Sequence, residues 1–456
     1  MKLLRGEGSS SPSLSQPGRP DAPTPVLLQS FASAGARLAT TVTLLLTISL
    51  AVRKLSSEEF GLWSILLSLM FLATTFDFGF RYGLSNRLAA LIALPGGNSK
   101  LEESTMFLSV FMLQVAIAVC GSAICLCVLP HVPWERLLSI RQPDLATHAA
   151  STMTIAGCFF FLYLPFSLWG SAFYAHNEIA LASMLSALQS LILLAVFVFA
   201  AFKLHFQDLV IAYFAAYVLT GVLITAALFV RRSWTLQRVA SPGLTGSIRS
   251  ISRPSLEFFV LSFAGALTAT AGTCLSGTVT GLKEAGDFSL IQKIFSLLVT
   301  LHLAFLSPLS PAYTQYARLG NWNWVRQKLI VSVQWTWPVV FLGGGLLLVA
   351  CHPVLVWVWT GKWLTDFTLA GILALWAMAI GWTNTYSVAL NSLGLVRFQG
   401  IVFVAMMLPV LLLPLVLGRW WGIHGVALAS LLCALPALVL WPLYTAKALR
   451  QKRLVV

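Results

Sequence analysis

Hydrophobic residues occur in twelve long runs that fill the chain from Leu27 to Tyr444. Each run is long enough to cross a hydrocarbon layer of about 30 Å, which takes about 20 helical residues. The predicted segments are 27–52, 60–84, 106–129, 153–173, 179–202, 209–230, 258–280, 288–309, 329–350, 367–390, 401–417 and 423–444. The pattern therefore predicts an all-α integral membrane protein with twelve transmembrane helices.

The longest polar interruption, residues 231–257, contains five arginines and lies between the sixth and seventh segments. We interpret it as a cytosolic basic linker between an N-terminal six-helix bundle at 27–230 and a C-terminal six-helix bundle at 258–446. Residues 1–26 are rich in Ser, Pro and Gly, which is typical of a disordered tail. Residues 447–456 are predicted as a basic cytosolic tail.

A weak internal repeat relates the two predicted bundles. Phe60, Leu62 and Ser68 are repeated 228 residues later, half the length of the chain, as Phe288, Leu290 and Ser296. Transporters are often built from such repeats, and an even number of helices in each half implies parallel repeats. The repeat predicts two bundles related by a pseudo-twofold axis along the membrane normal, with a substrate site between them.

Composition supports a membrane protein and indicates its orientation. The chain is 58% hydrophobic and 10% charged, far from the averages of soluble proteins. Its net charge of +14 comes from basic residues scattered among short loops, which argues against a nucleic-acid surface. With the termini inside, the inner segments hold 18 basic residues and the outer loops hold 8. The positive-inside rule therefore places both termini in the cytosol.

No sequence motif indicates an enzyme or a cofactor. The chain has no phosphate-binding loop, no nucleophile elbow and no zinc-ligand spacing. All seven cysteines fall in or beside apolar segments, where a thiol behaves as a small hydrophobic group. We therefore expect no catalytic residue, no disulfide, no metal site and no cofactor.

Arg37 is the most informative charge, because it lies about ten residues into the first segment among small and hydroxylated neighbours. A charge at the centre of the membrane costs roughly 2.5 to 3.5 kcal/mol, so such a residue usually lines a polar cavity. Arginine stays protonated and presents a planar set of donors suited to phosphate. Arg37 is predicted to bind substrate; the alternative is a first helix that begins near Arg37, with the side chain reaching the cytosol.

Asp77 and Arg81 lie four residues apart, near the cytosolic end of the second segment. On one helix this spacing places them on the same face, where they can form an ion pair. Gly79 and Gly83 alongside would let another helix approach closely. We assign Arg81 to substrate binding and Asp77 to ion coupling; the alternative is that Arg81 reaches the anionic inner surface and Asp77 only pairs with it.

Two further charges extend the candidate site into the second half. Lys293 in the eighth segment is predicted either to bind substrate or to reach the membrane interface. Glu257, at the predicted start of the seventh helix, is assigned to an inner gate; the alternative is a solvated carboxylate favoured by the helix dipole. Together Arg37, Arg81 and Lys293 would give the interior a positive field that attracts anions.

Polar residues of the tenth segment complete the predicted site. Asn384 and Asn391 could hydrogen-bond a sugar, although ordinary packing between helices is the preferred explanation. His302 in the eighth segment is expected to form a hydrogen bond between helices, and no function is assigned to it.

The strings SSEEFGLWSIL (residues 56–66), FDFGFRYGLSNRLA (residues 76–89) and LNSLGLVRFQ (residues 390–399) resemble the polysaccharide transporter family. This family contains O-antigen and exopolysaccharide flippases and belongs to the superfamily of multidrug and lipid-linked oligosaccharide exporters. The resemblance implies a V-shaped pair of six-helix bundles in the bacterial inner membrane. It also implies transfer of an undecaprenyl-pyrophosphate-linked oligosaccharide across that membrane, with Arg37, Arg81 and Lys293 as the basic cavity and Asp77 as its acidic partner.

The leading hypothesis is thus a flippase for surface polysaccharide biosynthesis, such as lipopolysaccharide or exopolysaccharide. Its partners would be the lipid-linked substrate, membrane lipids, a polysaccharide polymerase and glycosyltransferases. One alternative is a multidrug exporter of the same superfamily, for which an acidic cavity would be expected. The other is a non-transporting scaffold that recruits glycosyltransferases through basic loops. The sugar, the coupling ion and the oligomeric state are not predicted.

Overall fold

The computed structural model describes residues 26–93, 99–234, 244–306, 309–351 and 366–451, and these ranges contain helices and no β-strand. The helices of the first half are α1 (Val26–Lys54), α2 (Ser57–Ala73), α3 (Phe80–Ala93), α4 (Ser99–Val128), α5 (Trp134–Leu137), α6 (Pro143–Phe166), α7 (Trp169–Ala175), α8 (Ile179–Lys203) and α9 (Phe206–Arg232). Short 3-10 turns follow α2 and α4 at Thr74–Asp77 and Leu129–His131.

The helices of the second half are α10 (Leu244–Val279), α11 (Leu282–Leu306), α12 (Leu309–Arg318), α13 (Trp322–Thr336), α14 (Gly343–Leu346), α15 (Phe367–Ser392) and α16 (Val396–Arg450). Two π-helical segments, Trp337–Leu342 and Leu347–Cys351, flank α14. The long α16 has non-helical backbone angles at Trp421 and Gly422, so it consists of two helical segments. This break lies between the predicted segments 401–417 and 423–444.

Nine helical stretches of the described residues are long and apolar enough to cross a membrane, α16 being counted once. Many of their large hydrophobic side chains are exposed, such as Val230 at 81% and Phe305 and Val349 at 75% each. Such exposure suits contact with lipid better than contact with water. The prediction of an all-helical, multi-pass membrane protein is confirmed.

The structure corrects the predicted start of one helix and supports the predicted start of another. α10 begins at Leu244, so the second part of the predicted linker 231–257 is helical. Polarity misled the prediction, because hydropathy does not distinguish a polar helical extension from a loop. α1 begins at Val26, which places Arg37 inside a helix and excludes a first helix that begins near Arg37. The predicted tail 1–26 lies, apart from Val26, outside the described residues.

Buried hydrophobic side chains form separate cores in the two halves, and α11 contributes to both. Leu282 and Leu290 belong to the core formed by α1, α2, α6, α8 and α9. Phe288, Ile291 and Phe295 belong to the core formed with α15 and the second segment of α16. One face of α11 therefore packs in the first half of the molecule and the opposite face packs in the second half. α11 thus lies at the junction of the two halves.

Glycine allows α2 to approach the second half closely at both ends. A Cβ atom at Gly61, near the start of α2, would overlap the carbonyl oxygen of Leu282. A Cβ atom at Gly79, just before α3, would overlap the carbonyl oxygen of Ser255 in α10. We call these two regions the Gly61 contact and the Gly79 contact. A larger residue at either position would force the halves apart.

We expect the substitution Gly61→Ala to destabilise the protein, because the added methyl group meets backbone that cannot move aside. Overpacking of this kind costs about 1–3 kcal/mol. The apparent melting temperature of the purified protein in detergent measures the loss. Gly371→Ala in α15 is the matched control, because no atom lies within 4 Å of a Cβ at that position. Equal melting temperatures for the two variants would show that the Gly61 contact does not hold the halves together.

Candidate functional site

The predicted second helix is interrupted at Thr74–Gly79, a segment that we call the Asp77 turn. After the 3-10 turn, Phe78 and Gly79 both adopt left-handed backbone angles, with φ of 51° and 72°. Glycine adopts this conformation readily, whereas a phenylalanine does so at a cost of roughly 1–2 kcal/mol. The turn therefore needs contacts that stabilise it, and Asp77 supplies them.

Asp77 is buried, and its polar atoms are occupied by the turn. Its Oδ1 accepts a hydrogen bond from the Gly79 amide at 2.9 Å, and its Oδ2 accepts one from Nε of Arg81 at 3.1 Å. Arg81 also donates from Nη2 to the Thr74 carbonyl at 3.0 Å. The predicted ion pair is thus present, but the prediction of one continuous helix face was wrong, because the backbone turns between the two residues.

Hydrogen bonds from neighbouring helices of the first half stabilise the Asp77 turn. The buried side chain of Gln114 in α4 donates to the Asp77 carbonyl at 2.9 Å. Ser171 in α7 donates from its hydroxyl group to the Arg81 carbonyl at 2.8 Å. Arg81 nevertheless keeps its side chain 39% exposed, against 9% for Asp77. A guanidinium group has five N–H donors, so its two bonds here leave donors for a ligand.

Aromatic rings join the Asp77 turn to the second half. Phe76 lies edge-on to Phe263 of α10 with ring centroids 5.7 Å apart, and Phe78 lies 5.0 Å from Phe259. One turn further on, Tyr82 stacks on Phe258 at 4.2 Å. Because these pairs accompany the close approach of Gly79, the turn is packed directly on α10. The predicted close packing at Gly79 is confirmed.

Lys293 lies on the face of α11 that meets α2. It follows Gly286 by seven residues and Leu290 by three, so these three residues share one helix face. Gly286 lies against Phe60 of α2, and Leu290 packs into the core of the first half. The ammonium nitrogen of Lys293 is buried and has no hydrogen-bond partner among the described residues. It is a cation at the junction of the two halves without a counter-charge bonded to it.

The other predicted site residues are distributed along three helices. Arg37 lies in α1 and Glu257 in α10, and the side chains of both fall outside the described part of the structure. The alternative for Glu257, a carboxylate at a helix N-terminus, was wrong, because α10 begins thirteen residues earlier at Leu244. Their assigned roles stay predictions.

Two asparagines of α15 were also predicted to contact substrate. Asn384 is partly buried in the middle of the helix. Asn391 lies at the end of α15, where its amide oxygen accepts a hydrogen bond from Nε2 of Gln399 at 2.7 Å. Gln399 in turn accepts from the Ser387 hydroxyl group at 2.6 Å. These bonds stabilise the turn from α15 to α16, which lies within the string LNSLGLVRFQ; sugar binding by either asparagine stays a prediction.

Sequence reasoning missed several ionic contacts between distant residues. His176 lies 3.3 Å from Glu103, and Glu178 pairs with Arg231 and Arg232 at 3.0 and 2.9 Å. These partners are more than 50 residues apart, so no local spacing indicates them. They join α4 and α9 to the turn between α7 and α8 within the first half.

A further ionic contact was missed in the second half. His424 in α16 contacts Asp366, which also accepts the Leu369 amide at the start of α15. Burial raises the pKa of Asp366, but the hydrogen bonds from Leu369 and His424 outweigh it and leave the pKa below its ordinary value. The contact thus joins the start of α15 to the region of α16 that follows its break.

Solved structures with the same fold are transporters of the MOP superfamily. An inward-facing multidrug resistance MATE family transporter matches with a TM-score of 0.74 and 12% identity, over 93% of this chain and 98% of that one. The lipid II flippase MurJ in an inward closed conformation matches with a TM-score of 0.69 and 14% identity, over 92% and 87%. A MOP transporter from Pyrococcus furiosus, described with a binding pocket of reverse polarity, matches with a TM-score of 0.60 and 12% identity, over 93% and 94%.

The fold is therefore that of a multi-pass membrane transporter. The family model described as "Polysaccharide biosynthesis protein" matches residues 27–316, which is more than half of the chain. The chain belongs to this polysaccharide biosynthesis protein family, as the sequence resemblance predicted. Among curated protein sequences, the chain has no significant match.

Two substitutions of Asp77 separate the contributions of its bond to the Gly79 amide and its ion pair with Arg81. Asp77→Asn keeps an oxygen that can accept the Gly79 amide but removes the charge that pairs with Arg81, whereas Asp77→Ala removes both. We expect Asp77→Ala to lower the melting temperature in detergent more than Asp77→Asn, because an unbonded buried donor costs about 1–3 kcal/mol. Equal losses would mean that the hydrogen bond from the Gly79 amide to residue 77 adds nothing to the stability of the turn.

Proposed function

We propose that this protein is a flippase that moves a polyprenyl-pyrophosphate-linked oligosaccharide across the bacterial cytoplasmic membrane during surface polysaccharide biosynthesis. Membership of the polysaccharide biosynthesis protein family supports the biological process. The fold shared with a lipid II flippase supports transport of a lipid-linked cargo. The observation that carries the proposal is the buried ammonium group of Lys293 at the contact between α2 and α11.

A buried cation without a partner is costly, and inside a membrane such residues usually act on a substrate or an ion. Pyrophosphate would supply the missing counter-charge. Arg81 lies in α3 of the first half, which packs on α10, and it retains N–H donors after its bonds to Asp77 and Thr74. Lys293 and Arg81 would thus present cations from both halves to one anionic group.

Lys293 is enclosed in this arrangement, so a ligand reaches it only when the halves separate along α2 and α11. The proposed cycle begins with such an opening toward the cytosol. The pyrophosphate binds the basic residues, the sugars occupy the space between the halves, and the polyprenyl tail stays in lipid. Closure on one side and opening on the other then complete the transfer without any covalent step, driven by an ion gradient, the membrane potential or consumption of the product.

We propose the accompanying topology on the same basis. Two six-helix bundles, 27–230 and 258–446, would be related by an axis along the membrane normal, with both termini in the cytosol. The excess of basic residues in the inner loops supports this orientation. Glycosyltransferases that make the cargo and a polymerase that uses it are the expected partners.

Replacement of Lys293 by Met tests the site without disturbing the fold. Removal of an unpartnered buried charge should leave the melting temperature unchanged or raised, because the desolvation penalty disappears. Transport should fall at least about tenfold, as a lost charged contact of about 1.5–3 kcal/mol implies. The measurement is accumulation of lipid-linked oligosaccharide in cells that carry the variant as their sole copy.

Lys283→Met is the matched control, because Lys283 lies on the same helix and is exposed. Normal export by Lys293→Met at normal protein levels would remove Lys293 from the site. Export of cationic dyes by the wild-type protein, without any effect on lipid-linked sugars, would instead favour a multidrug exporter.

Arg37 provides a second, independent test of the basic site. Its position inside α1 places its charge within the helical span, where arginine stays protonated. We expect Arg37→Ala to stop surface polysaccharide export while the protein remains inserted at its normal level. Surface polysaccharide is measured by immunoblot and membrane insertion by fractionation. Unchanged export would contradict the role assigned to Arg37.

A further inference from the structure

A buried histidine in the second half joins three helices. His302 in α11 is only 4% exposed, and its Nε2 lies 3.0 Å from the Thr336 hydroxyl group at the end of α13. That hydroxyl group also lies 2.9 Å from the hydroxyl group of Thr385 in α15. The expected hydrogen bond between helices is confirmed, and it belongs to a chain of three polar side chains.

The hydrogen-bond partners define which ring nitrogen of His302 carries hydrogen. Thr336 has one hydroxyl hydrogen and lies 2.7 Å from the Ser332 carbonyl, a group that can only accept. We therefore assign Thr336 as the donor to Ser332 and as an acceptor from His302, whereas the Thr385 hydroxyl group can donate to Thr336 or to the Gly381 carbonyl, 3.3 Å away. In this arrangement His302 carries its hydrogen on Nε2, which leaves Nδ1 as a bare acceptor. Nδ1 is buried and has no hydrogen-bond partner among the described residues.

The four helices joined by this polar chain offer no counter-charge close to a protonated His302 within the described residues. The helices α12, α13 and α15 contain no Asp or Glu, and the acidic residues of α11, Glu284 and Asp287, lie at its opposite end. The other ionisable or charged groups of these four helices are phenols, which are neutral near pH 7, and cations. These groups are Tyr313, Tyr316, Arg318, Arg326, Lys328 and Tyr386, together with Lys283 and Lys293 on α11. α10 also packs against α11, through Thr273 and Gln292, and its acidic residue is Glu257, whose side chain lies outside the described part of the structure. A second proton on the ring would thus place on these four helices a buried positive charge without an acidic partner among their described residues.

His302 also lies beside a change of helical structure. α13 ends at Thr336, its hydrogen-bond partner, and the π-helical segment Trp337–Leu342, which contains Pro338, begins at the next residue. π-helical segments and prolines are places where helices bend, and π segments often occur at functional sites. The polar chain therefore joins α11 and α15 to the point where α13 can change direction.

We propose that His302 is a proton-binding residue that links proton uptake to movement of α13 against α11 and α15. The neutral ring holds the three helices together through Thr336. A proton bound at Nδ1 places a buried positive charge there, which favours separation of the helices and access of water. This inference rests on the proposed transport function, for which it names the proton as the coupling ion and a site in the second half.

Nitrogen NMR of the histidine rings tests the proton site directly. The full-length protein is labelled at ring nitrogens and placed in lipid vesicles, and His302→Gln assigns the signals. At neutral pH we expect a neutral His302 with hydrogen on Nε2 and a bare Nδ1, which becomes doubly protonated on acidification. Hydrogen on Nδ1 of the neutral ring, or a ring that stays neutral wherever the protein remains folded, would overturn the proposal.

Hydrogen exchange measures the proposed movement. Between about pH 7.5 and about pH 5.5 we expect amides of residues 333–342 to exchange several-fold faster, after correction for intrinsic rates. His302→Gln keeps a donor to Thr336 but cannot titrate, so its exchange should not respond to pH. His205→Gln, at an exposed histidine, should behave like the wild type. A pH response that persists in His302→Gln would also overturn the proposal. Neither measurement needs the sugar substrate, so failure here is distinct from failure of the flippase proposal.

Discussion

The close packing of α2 and α3 against the second half is the constraint on which the rest of the structure depends. The Gly61 contact brings α2 against the start of α11, and the Gly79 contact brings the Asp77 turn against α10. Neither approach is compatible with a side chain larger than hydrogen. Inside a membrane, where hydrophobic burial contributes little to association between helices, such close contacts are the main source of packing energy. They join the two halves at two separate positions, the start of α2 and the Asp77 turn.

The positions of the polar residues depend on this packing. The Asp77 turn places a non-glycine residue, Phe78, in a left-handed conformation, and Asp77 and Arg81 stabilise it through the Gly79 amide and the Thr74 carbonyl. Lys293 has no such structural role, since its ammonium nitrogen is buried without a partner among the described residues. The two cations therefore differ: Arg81 has a structural role in the turn and retains free N–H donors, whereas Lys293 has no hydrogen-bond partner among the described residues, which supports the ligand contact proposed for it.

Much of the fold could be predicted from the sequence, because hydropathy directly reports the lengths of apolar helices. Hydropathy did not, however, indicate the turn at Phe78 and Gly79 or the helical extension of α10. The string FDFGFR is apolar enough to continue a helix, so the turn at Phe78 and Gly79 did not stand out. The helical structure of residues 244–257 was missed for the opposite reason, because these residues are polar.

The candidate site was predictable only in part. The charges of Asp77, Arg81 and Lys293 were identified because charge is rare inside membranes. The polar chain of His302, Thr336 and Thr385 was not, since its residues are spread over 84 positions and each is common in ordinary packing. Only the folded arrangement places Thr336 beside His302, Thr385 and the Ser332 carbonyl, and leaves Nδ1 of His302 without a partner among the described residues.

Native mass spectrometry of the protein purified from cells that make the polysaccharide tests the central claim most directly. If the halves enclose a basic site for a lipid-linked sugar, a fraction of the protein will carry a bound mass equal to polyprenyl pyrophosphate plus an oligosaccharide. Fragmentation of the released ligand will then yield the pyrophosphate. A protein that carries only ordinary phospholipids, from cells in which the lipid-linked sugar is abundant, would contradict the account.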